Sequence, residues 1–468
     1  MSLMDTILMN LPEVKAPLQK KLAFKDKLKW TLIILVAFFL LGLIPLYGLG
    51  ENSLSQFEFL SIILGASFGS IISLGIGPLV TGSIVLQLLN GSGLVKFDLT
   101  THEGKKKFQG IQKILSLFFI LFEAGIYVFM GGLSPSLALD PTQFRTMQLI
   151  LILQLVIGGI LIMFMDEIIS KWGFGSGISL FIAAGVASEV VIRAFSPLTT
   201  AGAWAFGSSQ APVGKVWVLI ESLASQNPTG AALAFAAIIA TLLIFFLAVY
   251  LQSMKVEIPL SFGRIRGHGI RWPLQFLYTS NIPVILIAAL LANVQLWARL
   301  LEKWGHPLLG LYSGSTPISG FVLWVTPQNI VQNIITGNVT AVSFGYAAVY
   351  MAFMIIGSIV FGIFWVQTSG MDASSQAKQM LASGLQIPGF RRDQRVLEAI
   401  LSRYIFPLTV MGGATVGFLA AGADLMGALT RGTGLLLAVM IVYKLYEEIA
   451  NQHMMDMHPA LAKMMGKQ

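Results

Sequence analysis

The sequence predicts an all-α polytopic membrane protein with ten transmembrane helices, arranged as two inverted five-helix halves around a central pore. Three observations carry this. Of 468 residues 55% are hydrophobic and only 11% charged, with a mean hydropathy of +0.78, a composition foreign to soluble globules. Uncharged apolar runs of membrane-spanning length recur from residue 30 to residue 446, so one integrated membrane domain is expected rather than a soluble enzyme with an anchor. Finally, ten spans divide into five and five; because five is odd, a second half that repeats the first lies upside down in the membrane. Ten spans without internal symmetry is the alternative that the apolar pattern leaves open.

In chain order, residues 1–29 carry six lysines and read as a cytoplasmic amphipathic segment. The apolar run that follows lacks a small-residue cleavage pattern, so it is a retained first span rather than a cleaved signal peptide. Spans are expected at roughly 30–48, 59–90, 112–131, 147–165, 176–194, 231–251, 275–296, 344–366, 401–421 and 430–448. The first half covers 30–194, an external connection 195–230, and the second half 231–448 with cytoplasmic loops at 252–274 and 367–400. A cytoplasmic tail, 449–468, closes the chain. The segments 211–224 and 315–336 are short or broken by proline and read as interfacial or re-entrant.

Lysine and arginine set the orientation, because they are retained on the cytoplasmic side. With both ends inside, 24 of the 30 basic residues are cytoplasmic, and the external regions hold only Arg145, Arg193, Lys215, Arg299, Lys303 and Arg431. Much of the formal net charge of +8 then faces anionic lipid or an anionic partner.

The second span is anomalous. Phe59 to Asn90 contains no charge, and as one straight helix its 32 residues would reach about 48 Å at 1.5 Å per residue. The hydrocarbon layer is about 30 Å thick. A break is expected near Gly75 to Pro78, where a proline removes an amide donor and glycines relax the turn. Irregular backbone at membrane depth requires protein or a wet cavity around it. Two readings stay open: a glycine-rich kink for tight packing, or a small movable half-helix beside a passage, lightly anchored because it carries Ser61, Ser67, Ser70 and Ser73. Beyond the break Ile76 and Val80 share a helical face, as do Ile178 and Ile182 in the fifth span. Either pair is compatible with ordinary packing. Branched apolar side chains from several spans also build a narrow collar that excludes ions by dewetting.

Polar groups at depth are few: Glu123, Asp166, Glu167 and Glu189, with the amides Gln87, Asn281 and Asn293. For Glu123, structural pairing or a subunit contact competes with ion coupling. Amides bridge membrane helices at about 0.6 kcal/mol on average, so a seam held by them is light enough to open. The chain contains no cysteine, which excludes disulfides, thiolate metal sites and cysteine nucleophiles. Its five histidines form no compact ligand set. No nucleotide-binding loop is present. No catalytic residue, metal or cofactor is therefore expected.

Two cytoplasmic loops are basic. One reads "SMKVEIPLSFGRIRGHGIRW", alternating "VEIPL" and "GRIRG" about glycines, and fits a short hairpin; the other includes "GLQIPGFRRDQR". Retention on the inner face accounts for such charge by itself. Fixed arginines also pair with RNA phosphates or acidic protein, in a nonspecific and salt-sensitive way.

Five stretches together resemble the SecY family, the large subunit of the protein-conducting channel, in its archaeal form. They are "SLGIGPLVTGSIVLQLLNGSG" from Ser73, "GFGSGISLFIAAGVA" from Gly173, "GRIRGHGIRWPLQFLYTSNIPVILIAALLANVQL" from Gly263, "GLQIPGFRRD" from Gly384 and "GTGLLLAVMIVYKLYEE" from Gly432. The resemblance covers essentially the whole chain. It implies an hourglass pore with an external half-helix plug over 59–70, including Phe59, Ile62, Ile63, Leu64, Gly65, Phe68 and Gly69. It implies a pore ring of Ile76, Val80, Ile178, Ile182, Ile285 and Leu437, the last two assigned by resemblance alone. A lateral gate is implied between the second and third spans and the seventh and eighth, with Ser83, Gln87 and Asn293 at its seam.

The resemblance also implies partner contacts through Arg264, Arg266 and Arg271 in one loop and Arg391 and Arg392 in the other. The partners it implies are a SecE-type small essential subunit, a peripheral small beta-type subunit, the ribosome and the signal recognition particle receptor pathway. Signal sequences, nascent chains and membrane lipids complete the set, without a motor ATPase. The expected function is a channel subunit of the plasma membrane that passes unfolded secretory polypeptides and releases apolar segments sideways into the bilayer. A secondary transporter and an assembly scaffold are the rival readings; the first predicts broken spans in both halves and a polar midplane site.

Overall fold

The computed structural model describes residues 11–18, 22–50, 69–91, 94–95, 97, 102–129, 132–136, 140–199, 203–205, 210–262, 269–279, 282–303, 305–313, 316–382, 385–386 and 393–457. Among them, six stretches are long and apolar enough to cross a membrane, at 106–129, 141–172, 177–195, 228–253, 341–382 and 394–426, and shorter apolar helices lie at 77–86 and 282–291. The protein is a multi-pass membrane protein. Apolar side chains such as Phe118, Leu121 and Phe122 lie exposed along these helices, as lipid contact requires and water would not favour.

Two compact units form, one of Met1–Ala187 with Ile441–Gln468 and one of Ser188–Met440. The first holds α1 (Phe24–Gly42), α2 (Gly77–Gly91), α3 (His102–Phe129), α4 (Pro141–Trp172) and the start of α5 (Gly177–Phe195). Here α2 packs on α3, α3 on α4 and α1 on α4; Ile120 and Ala124 of α3 and Leu151 and Leu155 of α4 share a core with Leu46 and Leu74 from the segments just after α1 and just before α2. Phe38 of α1 stacks on Phe181 of α5 with ring centres 4.6 Å apart. A side chain at Gly158 would strike the Ile71 carbonyl, so only glycine lets α4 approach the turn before α2 this closely.

The second unit adds α6 (Lys215–Ala224), α7 (Pro228–Ser253), α8 (Ile282–Lys303), α9 (Phe321–Val325), α10 (Ile330–Ile335), α11 (Ala341–Thr368), α12 (Ala373–Ala382) and α13 (Gln394–Met426), followed by the start of α14 (Gly432–Met457). The stretches expected to be interfacial or re-entrant thus contain the short helices α6, α9 and α10. Polar caps mark several starts: Asn227 accepts from the Gly230 amide at 3.1 Å, and Asp393 from the Arg395 amide at 2.9 Å, each satisfying an orphan donor of a first turn. In the closely packed pair α11 and α13, a side-chain carbon at Gly413 would lie 2.9 Å from the Ser358 carbonyl oxygen and one at Gly417 2.6 Å from that of Met354. Small residues four apart let helix backbones nearly touch, which is how helices associate where lipid removes the hydrophobic drive.

Outside the helices, β1 (Lys255–Phe262) and β2 (Gly269–Gln275) pair antiparallel, with Lys255 opposite Gln275 and Ile258 opposite Trp272. This is the hairpin expected from the alternation in that loop. A third strand, β5 (Leu385–Gln386), joins the free edge of β1, while β3 (Tyr312–Ser313) and β4 (Thr316–Pro317) form a separate ribbon.

Candidate functional site

The backbone break predicted in the second span is present. Residues 69–76 form successive turns and α2 begins at Gly77, with Gly69 at φ +84° and Gly75 at φ +56°, left-handed values that favour glycine. The polar backbone freed by the break is repaired by the segment after α1: the Leu46 amide donates to the Gly69 carbonyl at 2.8 Å and the Ile71 amide to the Ile44 carbonyl at 2.9 Å. Ser73 donates to the Ser70 carbonyl at 2.5 Å. Ile72, Leu74 and Ile76 are buried. Protein therefore encloses the irregular stretch, which meets the condition for breaking a helix at membrane depth. Of the plug residues, Gly69 lies at the edge of this turn; Phe59, Ile62, Ile63, Leu64, Gly65 and Phe68 lie outside the described residues, as does the choice between kink and movable half-helix.

Ile76 and Val80 are linked by the Val80 amide donating to the Ile76 carbonyl at 3.0 Å. Ile76 is buried and Val80 half-buried; on α5 Ile182 is buried and Ile178 half-buried. These four belong to the first unit. Ile285, half-buried on α8, and Leu437, buried on α14, belong to the second. Ser83 lies half-buried on α2. Gln87 and Asn293 are placed on α2 and α8 by their backbone alone; Asn281 lies outside the described residues.

The carboxylates resolve into specific roles. Glu123 accepts from Thr81 across α2 and α3 at 3.5 Å, and Glu189 pairs with Arg193 one turn along α5 at 2.8 Å. Asp166, late in α4, accepts the Ile178 amide of α5 at 2.9 Å. A side-chain carbon at Gly177 would lie 2.6 Å from the Asp166 Cα. In the second unit Asp424, late in α13, accepts the Gly432 amide that opens α14 at 2.8 Å and the Tyr350 hydroxyl at 2.7 Å. A side chain on Gly432 would strike the Ala420 carbonyl. Both helix starts read Gly-Ser/Thr-Gly-aliphatic, as Gly175 to Ile178 and Gly432 to Leu435. That pattern was visible in the sequence; the carboxylate serving it was not, being 12 and 8 residues upstream.

Residues 11–18 were also missed as structure. They lie across α3 and the end of α4: the Val14 amide donates to Glu167 at 2.9 Å, Trp172 to the Lys15 carbonyl at 2.9 Å and Lys171 to the Val14 carbonyl at 2.6 Å. Lys171 pairs with Glu13 at 2.5 Å, and Lys113 with Glu167 and the Pro12 carbonyl. The hydrogen bond from Lys171 holds the Glu13 carboxyl below the usual range. A cavity of about 280 Å³ opens beneath, bordered by Glu13, Lys106, Lys113, Asp166, Glu167 and Ile178.

Among the basic loop residues, Arg271 is exposed on β2 and pairs with Glu257 of β1 at 2.9 Å. Arg264, Arg266, Arg391 and Arg392 lie outside the described residues. The pairing of β5 with β1 nevertheless ties the loop carrying "PGFRR" to the hairpin. Among the described residues no group of histidines and carboxylates is placed to hold a metal ion.

Comparison with known proteins adds the decisive observation: the SecY family profile matches residues 70–446, and the profile of the plug domain of Sec61p matches residues 36–69. The chain belongs to the SecY family. Relatives of this SecY-family chain include protein translocase subunits SecY from Pyrococcus furiosus, 43% identical over 97% of both chains, and from Methanothermobacter thermautotrophicus, 45% identical over 97% of both. Among solved structures, a protein conducting channel superimposes with a TM-score of 0.79 at 40% identity, covering 98% of this chain and 99% of the other. Sec61 in a canine ribosome–channel complex from the endoplasmic reticulum gives 0.77 at 40% identity over the same shares. SecY-family membership makes this a channel subunit rather than an enzyme.

Proposed function

We propose that the chain is the channel-forming subunit of a protein translocase, passing unfolded polypeptides across the membrane and releasing apolar segments into lipid. The single observation that carries this is near-complete coverage, at 40% identity, of a solved protein conducting channel. The similarly built starts of α5 and α14, the fifth and tenth of the expected spans, support the finer architecture of ten spans in two inverted halves, and the concentration of lysine and arginine on one side supports both termini in the cytoplasm of a plasma membrane.

The mechanism forms no covalent bond. Ile76, Val80, Ile178, Ile182, Ile285 and Leu437 ring the pore; their branched side chains repel water and ions at rest and hold no groups to which a passing chain would stick. A plug over 59–70 backs that seal. A signal sequence binds the open seam near Ser83, Gln87 and Asn293 better than the closed one, and this differential affinity shifts the channel toward its open state. Segments apolar enough to prefer hydrocarbon leave through the seam, while polar ones continue through the ring.

Direction comes from a partner, because the sequence offers no nucleotide-binding loop. The relative solved on a ribosome supports the ribosome in that role. Arg264, Arg266, Arg271, Arg391 and Arg392 are its contacts, on two loops that β5 and β1 tie into one sheet. A SecE-type small subunit clamps the channel and a beta-type subunit lies at its periphery, with cargo arriving through the signal recognition particle receptor pathway.

The test is ion conductance across proteoliposomes containing the assembled complex. Replacing Ile76, Val80, Ile178 and Ile182 together by serine is expected to raise resting conductance while leaving insertion of the complex intact. Unchanged conductance with normal assembly would remove the ring and favour a scaffold.

A further inference from the structure

Two carboxylates hold helix starts from outside their own helices. The first four amides of an α-helix have no partner within it, and ordinary caps come from the residue just before the first turn. Here the acceptor comes instead from the preceding long helix: Asp166 of α4 takes the amide of Ile178, and Asp424 of α13 takes that of Gly432. The distances, 2.9 and 2.8 Å, are those of a carboxylate bonded to a backbone donor. Each contact is built in, because glycine alone fits beside it: Gly177 lies against Asp166 itself, and Gly432 against the Ala420 carbonyl of the same long helix.

Both helices held this way carry ring residues. Ile178 is the amide donor to Asp166, and Ile182 lies one turn on; Leu437 lies five residues beyond Gly432. We infer that Asp166 and Asp424 are positioning residues of the channel seal, fixing the first turns of α5 and α14 so that Ile178, Ile182 and Leu437 stay in register. This rests on the ring assignment above. Neither carboxylate need touch the translocating chain. Without one, the first turn of its helix frays, and the ring side chain mounted on or just past that turn is displaced for part of the time.

The test compares resting ion conductance of proteoliposomes holding equal amounts of assembled complex. Asp166→Ala is expected to raise conductance roughly 2- to 30-fold, the population change that loss of one helix cap allows. Asp166→Asn, which keeps an acceptor oxygen, is expected to stay near the parent. Ile178→Ser is the reference for the ring. A rise with Ile178→Ser but none with an assembled Asp166→Ala overturns the positioning role alone; no rise with Ile178→Ser overturns the ring reading beneath it. Should Asp166→Ala fail to assemble, residue-resolved amide exchange on the unsubstituted complex decides: the Ile178 amide is expected to exchange far more slowly than a free first-turn amide, and fast exchange would overturn the role. The same series at Asp424, with Leu437→Ser as reference, is expected to behave alike.

Discussion

The two helix joints, α4 to α5 and α13 to α14, solve one problem with different degrees of security. At the first, Asp166 serves the backbone of α5 and borders the cavity beneath residues 11–18. At the second, both oxygens of Asp424 are taken, one by the Gly432 amide and one by the Tyr350 hydroxyl of α11, and Arg431 acts on it electrostatically. The α13 terminus is closed as well: Gly427 is left-handed at φ +68°, and the Ala428 amide returns to the Ala423 carbonyl at 3.1 Å, the double return that ends a helix sharply. In contrast α4 runs into an extended Gly173. Three helices meet at each joint, since Thr31 of α1 accepts from the Phe174 amide at 3.1 Å; the difference lies in the carboxylates, Asp424 tying α14 and α11 to α13 while Asp166 ties only α5 to α4.

The largest expected difference comes from removing the carboxylate of the fastened joint. Asp424→Ala strands the Tyr350 hydroxyl and the Gly432 amide, at about 1–3 kcal/mol for each buried donor left unsatisfied. Thermal unfolding of the purified complex should fall clearly further for Asp424→Ala than for Asp166→Ala. Equal losses would erase the contrast. Next come the glycines. Gly432→Ala drives a methyl into the Ala420 carbonyl and Gly177→Ala drives one onto Asp166, each an overpacking cost of about 1–3 kcal/mol. Gly432→Ala should be the worse, since its methyl would press closer on the facing backbone than that of Gly177→Ala does, and the reverse order in the same melts would mean that the α13 side relaxes more easily.

The smallest effect belongs to residues 11–18 beside the α4 joint. Because pairing lowers the Glu13 carboxyl below its unfolded value, the contact with Lys171 is fully present above that unfolded value and is lost as pH falls through the lowered one. Exposed pairs of this kind contribute about 0–1 kcal/mol. The protection of amides over residues 11–18, measured against the intrinsic exchange rate at each pH, should fall on acidification and in Glu13→Gln at neutral pH, without a change at the α13 joint.

Much of this was legible in the sequence, and the reasons are local. Gly75, Gly77 and Pro78 sit beside each other, so the break before α2 could be read from backbone chemistry alone. Alternation in "VEIPL" likewise announced the β1–β2 hairpin. What stayed hidden depends on distant partners: Asp166 and Asp424 stand well upstream of the amides they hold, β5 is two residues long, and the contacts of Glu13 and Val14 reach more than 150 residues along the chain. The repair of the break by Ile44 and Leu46 was equally invisible, since nothing in an apolar stretch marks which carbonyl an amide will find. Ile285 and Leu437 came from family resemblance, as no spacing singles them out.

The most direct test of the channel reading is photo-crosslinking of a secretory chain stalled in the assembled complex, with the probe placed in turn at positions 76, 80, 178, 182, 285 and 437 and, as lipid-facing controls, at 122 and 246. All six ring positions are expected to label the stalled chain and the two controls to label it weakly or not at all. Labelling no stronger at the six than at the controls, in a complex that still engages the chain, would contradict the account.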